Sequence, residues 1–423
     1  MAICQEANLK CRIWNSAKDI EYSKGDISPI RNPDFSDMLP HRKILADHAE
    51  VKKLLSGKTV LMNGAGSSLG LELCRKMLQL GCRRLVILDR YESYLNELVA
   101  ALLAAFPNES IVPVVTDTGR IENLEKVFER HRPDFVFHAA TRKNRPFLGV
   151  DLEDIGLNNY LRTFNLAKIA SAFQCDAFVM ISSLMAAKEG NYLSDSLRIS
   201  EVSLEHFFSD TGTRLIITRL CDIIENRGGI VSVIENQIRN RTTVILPPEE
   251  TEARFISKDS AAEFVLQTLL EKNSELSRKT VFTCDCEPPV SLSEIAEKIA
   301  AMYGLKSGVD FAVRYRESPG EGTSTLHSNG ASSMPTGGLP SPFPGAVPFL
   351  RTKSNGENLD CNAGRVKVLF KEFVVGSEKE LPHQEWKALT QDLIKLCKAD
   401  PLYRGSVLPG VSNELDEDTE PIH

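Results

Sequence analysis

The chain is poor in several things, and each shortage excludes a class of protein. It has no run of about eighteen apolar residues, so no membrane-spanning helix is expected. Positive charge is not in excess: 50 Lys and Arg face 57 Asp and Glu, a formal net charge of −7. That balance argues against nucleic acid as a partner. The first 24 residues are interrupted by Glu6, Lys10, Arg12, Lys18 and Asp19, which breaks up the apolar stretch a secretory signal needs. Metal-ligand spacing is also scarce. The ten cysteines are scattered, and Cys74, Cys82, Cys175 and Cys221 fall within apolar patterns, as buried free thiols do. Such thiols fit a reducing, cytoplasmic setting. Cys284 and Cys286 stand too close together for the usual zinc spacing, with no second ligand pair nearby in the sequence.

What is present is organised around Val60–Asp89. Thr59–Met62 is apolar or β-branched, as in a strand buried on both faces. Asn63-Gly-Ala-Gly-Ser-Ser-Leu-Gly70 follows, then Leu71, Cys74, Met77 and Leu78 at helical spacing, with Gly81 as the stop. A second strand, Leu85–Leu88, leads into Asp89. Strand, glycine turn, helix, strand and acid in this order predict a dinucleotide-binding unit. Gly64, Gly66 and Gly70 let the backbone turn sharply and approach a pyrophosphate, with Ser67, Ser68 and Leu69 between them at the helix N-terminus. Asp89 is placed to accept from a ribose hydroxyl. Arg90 is placed either to pair with a 2′-phosphate, favouring NADP over NAD, or to face water.

The remaining pattern repeats this alternation. Helices are expected over Ala46–Leu55, Tyr91–Phe106, Ile121–His131, Ile155–Phe173 and Leu193–Phe208. In the second of these, Tyr94, Leu95, Leu98, Leu102 and Leu103 recur every three to four residues. Strands are expected over Ile111–Val115, Phe135–Phe137, Ala177–Ile181 and Arg214–Thr218. The fold class is therefore α/β, a Rossmann-type doubly wound parallel sheet with a smaller C-terminal substrate region. Right-handed crossovers place every strand's C-terminal end, and the ligand crevice, along one edge. Asp89, Asp117, His138, Ala139, Ala140, Ser182 and Ser183 fall there. Asp117 reads either as a contact to the adenine edge or as a cap for the helix near Ile121, and His138 as packing at the strand end. Helices at Gly229–Arg239, Ser260–Leu270 and Ser291–Tyr303 and a strand at Thr280–Thr283 belong to the substrate half. Ser291 and Glu294 suggest a capping box.

The domain reading is an N-terminal arm over 1–45 and a Rossmann domain with its substrate region over 46–316. A linker rich in Gly, Pro and Ser spans 317–358, and a segment with a helix and an acidic tail spans 359–423. The sequence leaves the oligomeric state open, a homo-oligomer included.

These residues resemble a known family. The turn and helix starting at Asn63 are similar to the TGAGGSIGSELC segment of extended short-chain dehydrogenase/reductases of the CapD type. These are polysaccharide-biosynthesis proteins that include UDP-N-acetylglucosamine 4,6-dehydratases. Arg132–Ala140 resembles the family's fourth strand, Asn226–Val231 its SRGSVI segment, and Ser318–Glu321 its RPGE. The resemblance covers roughly Asp37 to Glu321. It implies NAD or NADP in the crevice with a UDP-sugar across it, and a three-step reaction. Hydride leaves C4 of the sugar, water is eliminated across C5 and C6, and hydride returns to C6. It further implies Asp89 at the ribose, Asp117 at the adenine edge, Asn159 in the long helix, and Lys143, Arg219, Arg227 and Arg254 toward the substrate.

The family's STDKAVNPTNVMGATK segment departs here. Its hydroxyl is kept as Ser183, but its acid falls on Leu184, the adjacent lysine on Met185 and the helix lysine on Leu197. Leucine and methionine cannot exchange protons. Ser183, Lys188 and Tyr192 are left as the catalytic candidates, with Ser196 four residues beyond Tyr192 where a lysine would be sought. The family's middle turn glycine is Ser67, and its preceding threonine is Asn63. Two expectations follow. One is a nucleotide-sugar dehydratase or oxidoreductase with an altered catalytic set. The other is an inactive nucleotide- or nucleotide-sugar-binding relative with an interaction or regulatory role.

Overall fold

The computed structural model describes residues 43–140, 157–187, 192–208, 211–226, 228–247, 251–271, 281–286 and 288–315, with three two-residue strands outside these spans. The linker and most of the arm and C-terminal segment lie outside the described residues, as do Lys143, Lys188 and Arg227.

Seven parallel strands form the central sheet: β1 (Thr59–Asn63), β2 (Arg84–Asp89), β3 (Ile111–Val115), β4 (Phe135–His138), β5 (Ala177–Ser183), β6 (Arg214–Leu220) and β7 (Val281–Thr283). Their order is β3-β2-β1-β4-β5-β6-β7, with Ser406–Val407 pairing outside β7. This is the doubly wound arrangement, and its order reverses between β1 and β4. The strands read as continuous apolar runs because helices cover both faces. All five residues of β1 and all seven of β5 are buried.

The helices are α1 (His48–Leu55), α2 (Ser68–Gln79), α3 (Glu92–Ala105), α4 (Ile121–His131), α5 (Arg162–Ala172), α6 (Tyr192–Phe208), α7 (Ile230–Arg239), α8 (Lys258–Thr268) and α9 (Leu292–Met302). One face of the sheet packs with α2, α3 and α8 in a core that includes Leu73, Met77, Leu95 and Phe264. The other packs with α4, α5 and α6 through Phe128, Leu166, Leu197 and Leu204. A third cluster joins α7 and α9 through Ile234, Ile238, Ile295 and Ile299, and forms the smaller C-terminal region.

Helix α2 shows how local chemistry sets the frame. Ser67 caps its start, its Oγ accepting from the Gly70 N–H at 3.0 Å. Its end is closed by Gly81 at φ +79°, with Gly81 N–H to Leu78 O at 3.0 Å and Cys82 N–H to Met77 O at 3.2 Å. This is the paired termination that glycine permits. On α3 the buried stripe is Leu95, Leu98 and Leu102, while Tyr94 and Leu103 of the expected pattern face outward. The long helix sought from Ile155 begins, among the described residues, as a wide π-type turn at Leu157–Leu161 before α5. Only half of the expected capping box forms. Ser291 Oγ accepts from the Glu294 N–H at 3.1 Å, while the Glu294 carboxylate pairs with Lys298 at 2.7 Å.

One cysteine expectation is corrected. Cys221 is not a free thiol but is joined to Cys286. The parallel pairing of β6 and β7 brings their exits side by side, which the linear spacing hides. Cys74, Cys82 and Cys175 are buried thiols as expected. Burial pushes Cys82 and Cys175 up to about 12, so neither is a thiolate near neutral pH.

Candidate functional site

The C-terminal ends of β1, β2 and β4 converge on the glycine turn. Gly64 has φ +83°, and a Cβ there would lie 2.6 Å from the Ala140 nitrogen. The exits of β1 and β4 are thus in backbone contact, held also by Ala139 N–H to Asn63 O at 2.8 Å. A Cβ on Gly70 would meet the Gly64 carbonyl at 2.4 Å, so the first turn of α2 sits directly on the loop. A Cβ on Gly66 would lie 3.2 Å from Asp89 Oδ2 and 3.2 Å from the Tyr94 Cβ, so the turn passes under the Asp89 carboxylate. Ser67 Oγ also donates to Gly64 O at 3.0 Å, and Ser68 Oγ donates to Glu225 O at 2.8 Å. Leu69 packs into the core.

Asp89 accepts from the Tyr91 N–H through Oδ1 at 3.0 Å. Arg90 lies over the Tyr91 ring, 4.7 Å from its centroid, and donates to the Tyr91 hydroxyl at 2.5 Å. Asp117 accepts from Arg162 Nε at 2.9 Å and from the Gly119 N–H at 2.9 Å. The Arg162 guanidinium holds its carboxyl below the usual carboxylate range against the cost of partial burial, and the Gly119 N–H adds to the effect. Asp117 does not cap α4, whose N-cap position is Arg120 and carries no side-chain cap bond.

Beneath the turn runs a buried polar chain. Asn63 Nδ2 bonds His138 Nδ1 at 2.9 Å, and His138 Nε2 bonds Thr163 Oγ1 at 2.7 Å. An amide NH₂ can only donate, so Nδ1 accepts and the proton sits on Nε2, facing Thr163. Burial lowers the His138 pKa to about 4 and keeps the ring neutral. Asn63, a departure from the family's threonine, thus has its side-chain nitrogen satisfied inside the core.

The edge formed by β5 and β6 holds a second polar group that sequence reasoning missed. Glu201 on α6 is fully buried. It accepts from Arg219 Nη2 at 2.7 Å and from Ser182 Oγ at 2.5 Å. The signal was available, because Glu201 lies on the stripe Leu197, Leu204, Phe208, where an apolar residue is expected. Arg219 is itself buried in this pair. Ser183 is also buried, its Oγ accepting from the Met185 N–H at 3.3 Å. Leu184 packs on one core cluster, Met185 on the other, and Leu197 is buried in the second. Asn159 donates through Nδ2 to Ser196 Oγ at 3.0 Å, and Ser200 Oγ donates to Asn159 O at 2.8 Å. These bonds tie the π-type turn to α6. Tyr192 opens α6. Arg254 donates to Cys286 O at 3.3 Å.

The structure therefore brings Gly64, Gly66, Ser67, Ser68, Leu69, Gly70, Asp89, Arg90, Ala139 and Ala140 together around one turn. Asp117 is engaged by Arg162, one residue beyond the Thr116 N–H that bonds Asp89 O at 3.0 Å, and Arg254 lies with the β6 and β7 exits.

With this geometry in hand, the polysaccharide biosynthesis protein family matches residues 60–318. The chain belongs to this family. It is similar to the capsular polysaccharide biosynthesis protein CapD of Staphylococcus aureus, at 25% identity over 316 residues. That match takes in 73% of the chain and 52% of the relative, so the chain spans about half the relative's length. Among solved structures it resembles Pen from Bacillus thuringiensis, with a TM-score of 0.55 and 20% identity over 62% of this chain and 78% of that one. It also resembles UDP-glucuronic acid 4-epimerase from Bacillus cereus, solved with UDP-glucuronic acid and NAD. There the TM-score is 0.51 and the identity 16%, over 62% of this chain and 86% of that one. These likenesses establish the Rossmann fold. Among the described residues no helix is long and apolar enough to cross a membrane.

Proposed function

We propose that this family member is a nucleotide-sugar-modifying, NAD(P)-dependent protein of polysaccharide biosynthesis. The observation that carries the reading is the glycine turn beneath Asp89. Added side chains at Gly64 and Gly70 would strike backbone, and one at Gly66 would crowd the Asp89 carboxylate. That cradle fits a dinucleotide, whose pyrophosphate would rest on the start of α2. Gly64, Gly66, Ser67, Ser68, Leu69 and Gly70 would hold it, with Ala139 and Ala140 along the β4 exit. Asp89 would take the ribose hydroxyls, and its negative charge favours NAD over a 2′-phosphorylated cofactor. When bound, the nicotinamide supplies a hydride acceptor and donor. The UDP-sugar reading draws on family membership and on the ligands of the Bacillus cereus epimerase. Lys143, Arg227 and Arg254 are proposed on the substrate side. Arg219 would act there through the Glu201 pair that holds it.

For the chemistry, Ser183 is positioned at the end of β5, and its hydroxyl accepts one bond from the backbone. Native mass spectrometry of freshly purified protein tests the cofactor, with a co-purifying mass of NAD expected. Incubation with NAD and UDP-N-acetylglucosamine tests turnover, with a 4-keto-6-deoxy product lost in Ser183→Ala as the supporting result. No bound dinucleotide and no product across UDP-hexoses would sink the reading.

A second reading is favoured by a specific observation. Leu184, Met185 and Leu197 pack against core apolar residues. Each missing acid or base costs roughly 10²–10⁴ in rate. On this reading the protein binds the nucleotide sugar without completing the dehydration. Saturable UDP-sugar binding with no turnover supports it, and any conversion abolished by Ser183→Ala excludes it.

A further inference from the structure

We propose that the exits of β6 and β7 form a three-thiolate site for a soft d¹⁰ metal ion, with Cys221, Cys284 and Cys286 as its ligands. The sulfur atoms of the three residues all lie within 4.8 Å of one another. They converge from positions 65 residues apart in the chain. The convergence is topological. Arg219 of β6 pairs with Thr283 of β7, and the Cys284 N–H extends the ladder to Arg219 O at 2.9 Å. In that register Leu220 stands level with Cys284, and Cys221 leaves β6 one residue further on. Cys286 follows Cys284 by two residues, the spacing that returns a side chain to the same side of an extended segment.

Two sulfurs suffice for a structural crosslink, and Cys221 and Cys286 make one. The third sulfur within the same radius is what points to a ligand set. Thiolates select soft ions such as Zn²⁺ and Cu⁺. At Zn–S bonds of about 2.3 Å, tetrahedral thiolates stand roughly 3.8 Å apart, so reduction of the Cys221–Cys286 bond must let those two sulfurs separate around the ion. Among the described residues no fourth His, Cys, Asp or Glu joins the group. The three residues are buried, at 3%, 1% and 8% exposure, which shields bound thiolates from oxidation. Three thiolates and a divalent ion carry a net charge of −1. Arg254, donating to the Cys286 carbonyl at 3.3 Å, brings a compensating cation to the same loop.

The site is available in the reduced chain. A dithiol reductant transfers two electrons and two protons to the Cys221–Cys286 bond and leaves two thiols, becoming a disulfide itself. Zn²⁺ then displaces three thiol protons as three Zn–S bonds form.

The test uses the full chain, reduced under anaerobic conditions, freed of reductant, loaded with Zn²⁺ and desalted. About one zinc per chain is expected by elemental mass spectrometry. Replacement by Co²⁺ is expected to give a near-ultraviolet thiolate-to-metal charge-transfer band. Cys284→Ser retains the two sulfurs of the crosslink, so it is expected to oxidise normally in air yet bind zinc at least ten-fold more weakly. Its circular dichroism melt, compared with that of the unaltered chain, reports folding. A reduced chain that holds no zinc, or a folded Cys284→Ser that holds as much as the unaltered chain, overturns the proposal. The second result would assign any bound metal to other cysteines.

Discussion

At the scale of single residues, Gly64 is constrained in two ways at once. It combines φ +83° with backbone 2.6 Å from an added Cβ. Gly64→Ala is expected to cost roughly 1–3 kcal/mol from the backbone conformation alone, with more from the overlap. A lowered melting temperature together with loss of dinucleotide binding checks this. A stable variant with unchanged binding would remove Gly64 from the cradle. His138 gives a pH prediction. Its folded pKa is about 4, below the unfolded value near 6.5. Between these values the unfolded chain binds more protons than the folded one, so stability rises with pH across that window. Integrated over it, neutral His138 is worth roughly 3 kcal/mol, largely lost as pH falls from about 6.5 to about 4. Buried His131 is shifted the same way and adds to the slope. Denaturant titrations between pH 4 and 7 are expected to show this slope, and His138→Gln is expected to flatten it. The lowered carboxyls of Asp117 and Glu263 act in a lower window, because their contribution is lost as pH falls from the unfolded carboxylate value.

At the scale of elements, the ion pairs that cross between helices and strands carry the argument. Glu201 on α6 grips Arg219 at the end of β6, with side-chain exposures of 6% and 0% for Arg219 and Glu201. Removing one member of such a pair leaves a buried charge stripped of its partner, a loss of about 3–5 kcal/mol. Glu201→Ala is expected to fall in that range, while the double change Glu201→Leu with Arg219→Leu recovers most of it. Chemical denaturation of the singles and the double, read as a mutant cycle, decides the matter, and additive losses would count against the pair. A comparable contact joins α2 to α8, where Lys76 meets both Glu263 and Asp259 at 2.6 Å. Burial opposes the charge on Lys76, yet the two carboxylates outweigh it and hold the amine above its ordinary value. Residues preceding α1 fasten onto the same helix, with the Ala46 N–H on Glu263 Oε2 at 3.0 Å. These connections were not legible in the sequence. A lysine on α2 and an acid on α8 each look like solvated charges until the helices are packed side by side.

At the scale of the whole molecule, ligand occupancy is expected to couple to stability. A ligand that binds only the folded chain adds about 2.7 kcal/mol at a hundred times its dissociation constant. NAD is therefore expected to raise the melting temperature in a concentration-dependent way, and Asp89→Ala to abolish most of the rise. A shift that survives Asp89→Ala would move the ribose away from β2. The seven-strand order puts Asn63, Asp89, His138, Ser183, Leu220 and Thr283 along one edge. A dinucleotide, a nucleotide sugar and the three-cysteine cluster would all address that edge from different strands.

The sequence placed Thr280–Thr283 and Ser260–Leu270 in the substrate half, whereas β7 pairs with β6 in the central sheet and α8 packs on the core beside α2. By itself it determined the α/β class, the positions of β1 to β6 to within a few residues, and the glycine turn. These follow from short-range rules. Alternation and helical periodicity are written in neighbouring residues, and Gly64, Gly66 and Gly70 are required by backbone sterics whatever lies nearby. Tertiary structure alone decided which polar residues face one another. Asn63 meets His138 because parallel pairing sets those strand ends level, Glu201 meets Arg219 because α6 packs over the end of β6, and Cys221 meets Cys284 and Cys286 where β6 and β7 leave the sheet side by side. Such contacts depend on register between segments tens of residues apart, and no local pattern encodes register.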